Sequence, residues 1–341
     1  MKRICVLAIA CLFVLSIVSV APFFMMNAEA IEAAEFYKGK TIRWIVPFSP
    51  GGGFDTLSRL IAPFLENELQ ATIMVDNIKG AGGIVGSTKL FDAKPDGLTI
   101  GVIGGLDMLL ASYLGHIKFD PSNYSFLSRI NVNIEAWILG NKSPYKSFAD
   151  LTQAKKEVKF GVTGPGSASN LGIAAICDKA HIKKKIVSGY PGSDETALAT
   201  IQGEVDSCQF TWPSLRTVVE SGDAKPILVM TTWRPEDPLL NNTPTVGEVA
   251  RVLGLSKQDS EDIKGIANAT TVDKIIVGPP GIPADRLELL RDKLFTSLNS
   301  PKLIQKANSL GRPISPLRGE GLTALLKSAN EAVKKFGYVL K

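Results

Sequence analysis

Residues 45–55 read IVPFSPGGGFD, a hydrophobic run that leads into three consecutive glycines. The β-branched and aromatic residues before the glycines predict a strand over residues 41–48. After the glycines, apolar residues recur from Leu57 to Leu65 at the spacing of one helix face. Three glycines between a strand and a helix indicate that the main chain approaches another group closely, because glycine has no side chain to keep it apart.

The same strand–loop–helix arrangement recurs along the chain, which predicts an α/β architecture. Similar runs predict strands at residues 71–75, 98–103, 158–163, 185–187, 207–210, 225–230 and 274–277. Loops rich in Gly, Ser and Pro precede predicted helices at residues 49–55, 80–86, 164–170 and 190–194. Residues 236–272 are polar and break the pattern, so we expect them to be irregular. Three helices are expected between Pro283 and Gly337.

Loops of this kind are suited to bind anions. The first N–H groups of a helix have no partner within the helix, and the helix dipole favours negative charge beside them. In open α/β sheets, ligands bind outside the carboxyl ends of the strands, where these loops lie. Two lobes that each carry such loops would form a cleft that closes on a small carboxylate.

The triple glycine does not match the nucleotide-binding motifs. A P-loop requires Gly-Lys-Ser/Thr, whereas Gly53 is followed by Phe54 and Asp55. Residues 80–86 contain two glycines of a G-x-G-x-x-G pattern, but the third spacing and a clean strand end before it are missing. The sequence therefore does not favour a nucleotide site.

Purely structural roles are the alternative for the same loops. A tight turn with positive φ explains one of the three glycines better than all of them. Asp55 would serve as a first-turn acid of its helix, and Ser167, Ser169 and Asn170 would serve as helix caps. Two such loops in separate halves of the chain favour binding.

The first thirty residues have the pattern of an export signal. Lys2 and Arg3 precede an apolar run over residues 4–26, and Ala28-Glu29-Ala30 supplies a small-x-small cleavage pattern. A retained membrane anchor is the alternative, because a run of about 20 apolar residues can span a bilayer. We expect a signal peptide over residues 1–30, cleaved near Ala30, and an exported chain long enough for two lobes.

Charge and cysteine content exclude some functions. The formal net charge is +5, and the basic residues are scattered, so nucleic-acid binding is not expected. Outside the predicted signal peptide, Cys177 and Cys208 are the two cysteines. In an oxidising compartment they would form a disulfide, or both would be buried thiols.

Histidine is scarce, which limits catalysis and metal binding. His116 and His181 are the two histidines of the chain, and neither has the spacing of a zinc site, so we expect no metal and no cofactor. A secreted hydrolase that uses Ser167 or Ser193 would need one of these histidines beside the serine.

Several segments together resemble one known family. In chain order they are PFSPGGGFDTLSRLIAPFL, DNIKGAGGIVGSTKLFDAKPDGLTI, FGVTGPGSASNLG, YPGSDETALATIQGEVD and TPTVGEV. They are similar to motifs of the extracytoplasmic receptors of tripartite tricarboxylate transporters, the Bug/TctC family, over most of residues 36–340. The resemblance implies a type II periplasmic-binding-protein fold with two α/β lobes. We expect residues 31–137 plus 236–341 in one lobe and residues 138–235 in the other.

The resemblance also implies a function. Receptors of this family capture a small mono-, di- or tricarboxylate between the lobes and deliver it to permease subunits in the membrane. We therefore expect a monomeric periplasmic receptor with no catalytic step. A sensor that presents its bound carboxylate to a membrane histidine kinase is the alternative.

The family's binding residues map onto loops of both lobes. In the first lobe the resemblance implies Phe48, Ser49, Gly51, Gly52, Gly53, Asp55 and Asp107. In the second lobe it implies Gly166, Ser167, Ala168, Ser169, Asn170, Gly192, Ser193 and Asp206. The glycine loop is expected to contact the ligand through main-chain N–H groups.

Three positions depart from the family pattern. Asn170 stands where the family commonly has His, and Pro191 stands where it has Lys. A longer polar insertion occupies residues 252–272. The loss of two cationic side chains implies a ligand that is held mainly by neutral donors, or a ligand of different shape.

Overall fold

The computed structural model describes residues 31–132, 134–270, 272 and 274–340. The predicted signal peptide, residues 1–30, lies outside the described residues. In the described part, the chain forms two mixed β-sheets flanked by helices. The two sheets and their strand pairing confirm the expected α/β class.

The strands are β1 Thr41–Val46, β2 Thr72–Asn77, β3 Thr99–Gly104, β4 Ser125–Arg129, β5 Glu135–Gly140, β6 Val158–Val162, β7 Lys184–Ser188, β8 Ser207–Thr211, β9 Ala224–Val229, β10 Lys274–Gly278 and β11 Leu317–Arg318. The helices are α1 over residues 31–37, α2 Gly53–Leu69, α3 Ile84–Phe91, α4 Gly105–Tyr113, α5 Phe148–Thr152, α6 Ala168–Lys179, α7 Ser193–Gln202, α8 Trp212–Glu220, α9 Val246–Val252, α10 Lys257–Ala269, α11 Ala284–Leu298, α12 Pro301–Ser309 and α13 Gly319–Phe336. Among the described helices, none is both long and apolar enough to cross a membrane.

The first sheet has the strand order β11-β4-β10-β3-β1-β2. β1 pairs in parallel with β2 and β3, whereas β10 runs antiparallel to β3 and β4. Trp44 and Val46 of β1 pack on one face of this sheet, and Ile45 packs on the other. Both faces are buried over the last three residues of β1, which explains why this end of the strand is continuously apolar. Leu57 and Leu65 of α2 bury the predicted helix face against the Trp44 side.

The second sheet has the strand order β7-β6-β8-β5-β9. β6 pairs in parallel with β7 and β8, and β5 is antiparallel to β8 and β9. All six residues of β5 are buried. Trp137 and Leu139 belong to one core cluster, and Ala136 and Ile138 belong to another. β5 therefore packs against buried residues on both of its faces.

The chain passes from the first sheet to the second between β4 and β5 and returns between β9 and β10. β5 begins at Glu135, so the predicted lobe boundary after residue 137 falls inside a strand of the second sheet. The returning segment, residues 236–272, is not irregular as its composition suggested. It contains α9 and α10, and Ile263 and Ile266 of α10 are buried. Charged residues around those two isoleucines conceal the helical spacing in the sequence.

Both cysteines outside the predicted signal peptide are free thiols. Cys177 lies in α6 and Cys208 in β8, and both are buried. Burial raises the pKa of the Cys208 thiol to about 12, because the thiolate would lose its hydration. The structure therefore supports the buried-thiol alternative.

Backbone approaches backbone at the end of β1. A Cβ atom on Gly86 of α3 would lie 2.8 Å from the Cα atom of Pro47 and would overlap the carbonyl oxygen of Ile78. α3 therefore lies directly on the residues that precede the glycine loop. This contact fixes where that loop begins.

Replacement of Gly86 by Ala is expected to lower the free energy of unfolding by about 2 kcal/mol, because backbone atoms cannot move aside as a flexible side chain can. Chemical denaturation of the chain from residue 31 measures the change. Gly265→Ala in α10 is the matched control. Its Cβ would lie 3.6 Å from the Phe336 ring, an ordinary contact, and Ala is the better helix former. Equal stabilities of the two variants would contradict the proposed packing of α3.

Candidate ligand-binding cleft

A cavity lies between the two sheets, at the edge where the parallel strands end. It encloses about 630 Å³ of empty space, a volume that includes its opening to solvent. Ten of the fifteen predicted site residues line it: Phe48, Ser49, Gly52, Gly53, Asp107, Ser167, Ala168, Ser169, Gly192 and Ser193. The residues predicted from the sequence therefore lie on both sides of the cavity.

The glycine loop enters the cavity from the first sheet. Gly51 has φ +88°, a conformation that favours glycine. Gly52 caps α2 with extended dihedral angles, and the helix begins at Gly53. Gly52 has no side chain to cap the helix, and Gly52 and Gly53 both line the cavity, so α2 begins at the cavity wall without a capping side chain.

Asp55 lies behind this loop rather than on the cavity wall. Its carboxylate accepts hydrogen bonds from the Gly51 N–H at 2.9 Å and from Arg59 Nε at 2.9 Å. Burial alone would raise the pKa of Asp55. The hydrogen bonds from Arg59, Gly51 and Asn77 outweigh burial and hold the pKa below its ordinary value. Asp55 therefore fixes the shape of the loop. Gly51 provides the positive φ angle of the turn.

The second sheet contributes the start of α6. Ser167 caps this helix, and its hydroxyl accepts a hydrogen bond from the Asn170 N–H at 3.2 Å. The Ala168 N–H donates to Asp107 Oδ1 of α4 at 2.5 Å, which ties the two halves of the cavity together. The Asn170 amide donates to the Pro165 carbonyl at 2.6 Å.

Two predicted residues of this loop do not line the cavity. Asn170 is buried behind Ser167 and Ser169 and holds the loop through Pro165. Gly166 faces the other way, since a Cβ atom on it would lie 3.4 Å from His116 Nδ1. Both residues shape the loop.

The structure corrects the expected position of Asp206. This residue precedes β8, whereas Thr211 at the other end of β8 lines the cavity. The Asp206 carboxylate accepts a hydrogen bond from the Lys159 N–H at 2.9 Å, at the start of β6. Parallel strands present their carboxyl ends at one edge, so a residue at the amino end of β8 lies at the opposite edge.

Several cavity residues were not predicted: Phe54, Glu135, Thr163, Glu195, Gln209, Phe210, Thr211, Ser214 and Lys274. Glu135 and Lys274 begin β5 and β10, which run antiparallel to their neighbours. Antiparallel strands begin at the edge where the parallel strands end. The sequence signal that could have identified Glu135 and Lys274 is a polar residue at the start of an otherwise apolar strand.

Buried polar side chains form the floor of the cavity. Glu135 is 5 % exposed and Lys274 is 2 % exposed. The Gln209 amide donates to the Glu135 carboxylate and accepts a hydrogen bond from Trp137 Nε1 at 2.6 Å. The Lys274 ammonium lies 4.8 Å from the centre of the Phe54 ring. The floor thus combines charge with apolar surface.

The two sheets also meet directly around the cavity. Ser49 Oγ donates to Glu195 Oε1 at 2.9 Å, from the first glycine loop to the start of α7. A Cβ atom on Gly82 would lie 3.3 Å from the Cα atom of Gly164, so two further loops are in contact. The cavity is therefore in a closed arrangement, with both sides joined.

Histidine is absent from the described residues that line the cavity. Within the described ranges, no group of three or more His, Cys, Asp or Glu side chains is arranged to hold a metal ion.

The family can be assigned by comparison with known proteins. The model of the tripartite tricarboxylate transporter family receptor matches residues 57–278. The chain belongs to this family. It is 24% identical over 315 residues to a UPF0065 protein of Pseudomonas sp. (strain P51), over 91% of this chain and 88% of that one. It is 27% identical over 286 residues to a UPF0065 protein of Agrobacterium vitis, over 82% and 78% of the two chains.

Solved structures of periplasmic binding proteins share the fold of this receptor. The periplasmic binding protein BugD is 22% identical with a TM-score of 0.72, over 88% of this chain and 99% of that one. MatC from Rhodopseudomonas palustris with bound malate is 20% identical with a TM-score of 0.71, over 89% and 99%. An R. palustris protein with adipate is 22% identical with a TM-score of 0.71, over 88% and 97%. These likenesses confirm the periplasmic-binding-protein fold.

Asp55→Asn is expected to lower the free energy of unfolding by about 1 kcal/mol at pH 7, since Arg59 is half exposed and solvent screens the pair. The folded-state pKa of Asp55 is depressed, so this stabilisation is present above the pKa of the unfolded chain, about 3.9, and is lost as the pH falls through the folded value. Urea denaturation at pH 7 and near pH 3.5 measures the difference. If the difference in unfolding free energy between Asp55→Asn and the unaltered chain is the same at both pH values, Asp55 does not stabilise the fold through its charge.

Proposed function

We propose that the chain is a periplasmic receptor that captures a small organic carboxylate between its two lobes. It then delivers this ligand to the membrane permease subunits of a tripartite tricarboxylate transporter. The receptor acts as a monomer through binding, closure and release, without a chemical step. The family supports this role, and the relatives with malate and with adipate support a carboxylate ligand.

One observation carries the proposal. The N-terminal residues of three helices line the same cavity: Gly53 of α2, Ala168 of α6 and Ser193 of α7. The starts of α2 and α7 have no side-chain cap and present main-chain N–H groups. At the start of α6 the Ala168 N–H is donated to Asp107, and this helix contributes the positive end of its dipole. A carboxylate is small enough to lie among them and accepts several such hydrogen bonds.

The closed contacts support capture rather than surface binding. Ser49 donates a hydrogen bond to Glu195, and Asp107 accepts one from Ala168, so both contacts join the two sides of the cavity. A ligand among these residues would be enclosed from both sides. Release would require these contacts to separate, which is the motion of a receptor that opens at a hinge.

A calorimetric screen of carboxylates of roughly four to eight carbons with the chain from residue 31 tests the proposal. We expect at least one of them to bind. Gly52→Ala is expected to weaken that ligand about tenfold or more, since its Cβ would occupy space beside the helix start.

Gly52→Ala is suited to test ligand binding at the helix start. The Gly52 Cβ would lie 3.5 Å from the Ser49 carbonyl oxygen and 4.0 Å from Ser193 Oγ, and the dihedral angles of Gly52 suit any residue. The fold should be retained. Gly265→Ala, on α10 and away from the cavity, should bind normally. The proposal fails if no organic carboxylate binds, or if Gly52→Ala binds as tightly as the unaltered chain.

A further inference from the structure

The polar insertion over residues 252–272 contributes none of its described residues to the cavity wall. Most of it forms α10, whose Ile263 and Ile266 are buried. These two isoleucines belong to the same core cluster as Ile45 of β1 and Phe160 of β6. The insertion is therefore part of a core that reaches both sheets.

α10 packs against one helix of each lobe. It contacts α6, which lies on β6, β7 and β8 of the second sheet. It also contacts α13, which lies on β4 of the first sheet. α10 is therefore in a position to hold the two lobes together.

The carboxylate of Asp262 in α10 lies near lysines from both of these helices. Lys335 Nζ of α13 lies 2.8 Å from its Oδ1, and Lys179 Nζ of α6 lies 3.9 Å from its Oδ2. The Gln258 amide donates a hydrogen bond to the same Oδ1 atom at 2.7 Å. Lys179 also donates to Asp259 Oδ1 at 2.6 Å, one turn earlier in α10. α10 thus forms ion pairs with both lobes.

Asp262 is buried but remains charged. Its residue surface is 8 % exposed, and burial alone would raise its pKa. The hydrogen bonds from Lys335 and Gln258 and the charges of Lys335 and Lys179 outweigh burial and lower the pKa. A buried carboxylate is costly without partners, and the cationic partners of Asp262 come from two different lobes.

The ion pair between Lys179 and α10 lies far from the cavity. α6 begins at the cavity with Ala168 and ends at Lys179, about 16 Å further along its axis. Beyond the other end of α10, the Val272 carbonyl accepts a hydrogen bond from the Leu106 N–H of α4 at 3.0 Å. β10 then begins at Lys274 on the cavity floor. α10 therefore connects the far end of α6 with the elements that carry the floor.

We propose that α10 is a strap that joins the two lobes away from the cavity, and that Asp262 couples them through Lys179 and Lys335. The contacts of α10 persist while the contacts at the cavity separate, so the strap limits how far the lobes move apart. This inference goes beyond the proposed function. It concerns the chain without ligand and holds or fails whichever ligand the cavity takes.

Three neighbouring acids of α10 test the inference, because each contacts a different set of elements. Asp262 contacts both lobes, Asp259 contacts Lys179 of α6, and Glu261 contacts Lys264 within α10. Each acid is replaced by its amide, which removes the charge and keeps the size of the side chain. Hydrogen exchange with mass-spectrometric detection, on the ligand-free chain from residue 31, follows the last turns of α6 and α13.

Asp262→Asn is expected to raise the exchange rates in the last turns of both α6 and α13 about threefold or more, because local opening becomes easier on both sides. Asp259→Asn should raise the rates in α6 and leave those in α13 unchanged. Glu261→Gln should leave both unchanged. The inference is wrong unless Asp262→Asn acts on both helices, and it is also wrong if Asp259→Asn acts on α13 as strongly as Asp262→Asn does.

A second measurement follows the lobes themselves. Spin labels are attached at Lys89→Cys on α3, which packs on β1 and β3, and at Leu198→Cys on α7, which packs on β5, β6 and β8. Both positions are exposed. Cys177 and Cys208 are buried, so the labels react with the introduced thiols. Pulsed electron paramagnetic resonance then gives the distribution of distances between the lobes.

Lys335→Gln removes the cation that α13 supplies to Asp262, and we expect the distance distribution to become broader. Lys334→Gln is the matched control, since it makes the same change of charge at the preceding residue of α13. Both lysines are exposed, so the fold should be retained. A distribution that is equally broad in the unaltered chain and in Lys335→Gln would overturn the inference, as would equal broadening by Lys334→Gln.

Discussion

Main chain has to approach main chain where the two sheets meet, and the rest of the cavity depends on this constraint. Gly82 and Gly164 meet across the lobes, where a Cβ atom on either would lie 3.2 to 3.3 Å from the Cα atom of the other, a tight contact. Gly86 lies against the backbone of Pro47 and sets the start of the first glycine loop. Gly53 and Ala168, at the starts of α2 and α6, line one cavity beside these contacts.

The same constraint explains which polar groups are buried. Once the loops are close, the cavity excludes much of the water, so each charge on its wall must be fixed by a partner or matched by a ligand. Asp107 and Glu135 are fixed by hydrogen bonds from Ala168 and Gln209. Ser49 and Glu195 close the opening with a polar contact, which can be exchanged for a ligand group more easily than an apolar interface.

Much of this fold could be predicted from local patterns. The strand predicted at residues 41–48 is β1, and its following helix buries the predicted face from Leu57 to Leu65. β4 and β5 were not predicted. For β5 the reason is that both of its faces are buried, so it carries no alternation that would separate it from other apolar segments. The helix α10 was missed because charged residues surround its buried isoleucines.

The candidate site could likewise be predicted only in part. Loops that follow strands are visible in the sequence, and ten predicted residues line the cavity. Which end of a strand reaches the cavity depends on its direction in the sheet. Asp206 was therefore misplaced, whereas Glu135 and Lys274 were overlooked at the starts of antiparallel strands. Strand direction is a long-range property, and spacing along the chain does not encode it.

The central claim is that the main chain of the glycine loop holds the carboxylate of the ligand. Selective ¹⁵N-glycine labelling and NMR titration with a carboxylate that binds would test it most directly. We predict that the amide resonances of Gly52 and Gly53 shift with the binding isotherm, and that the amide of Gly265 on α10 does not. A ligand that binds while the resonances of Gly52 and Gly53 stay unchanged would contradict the account.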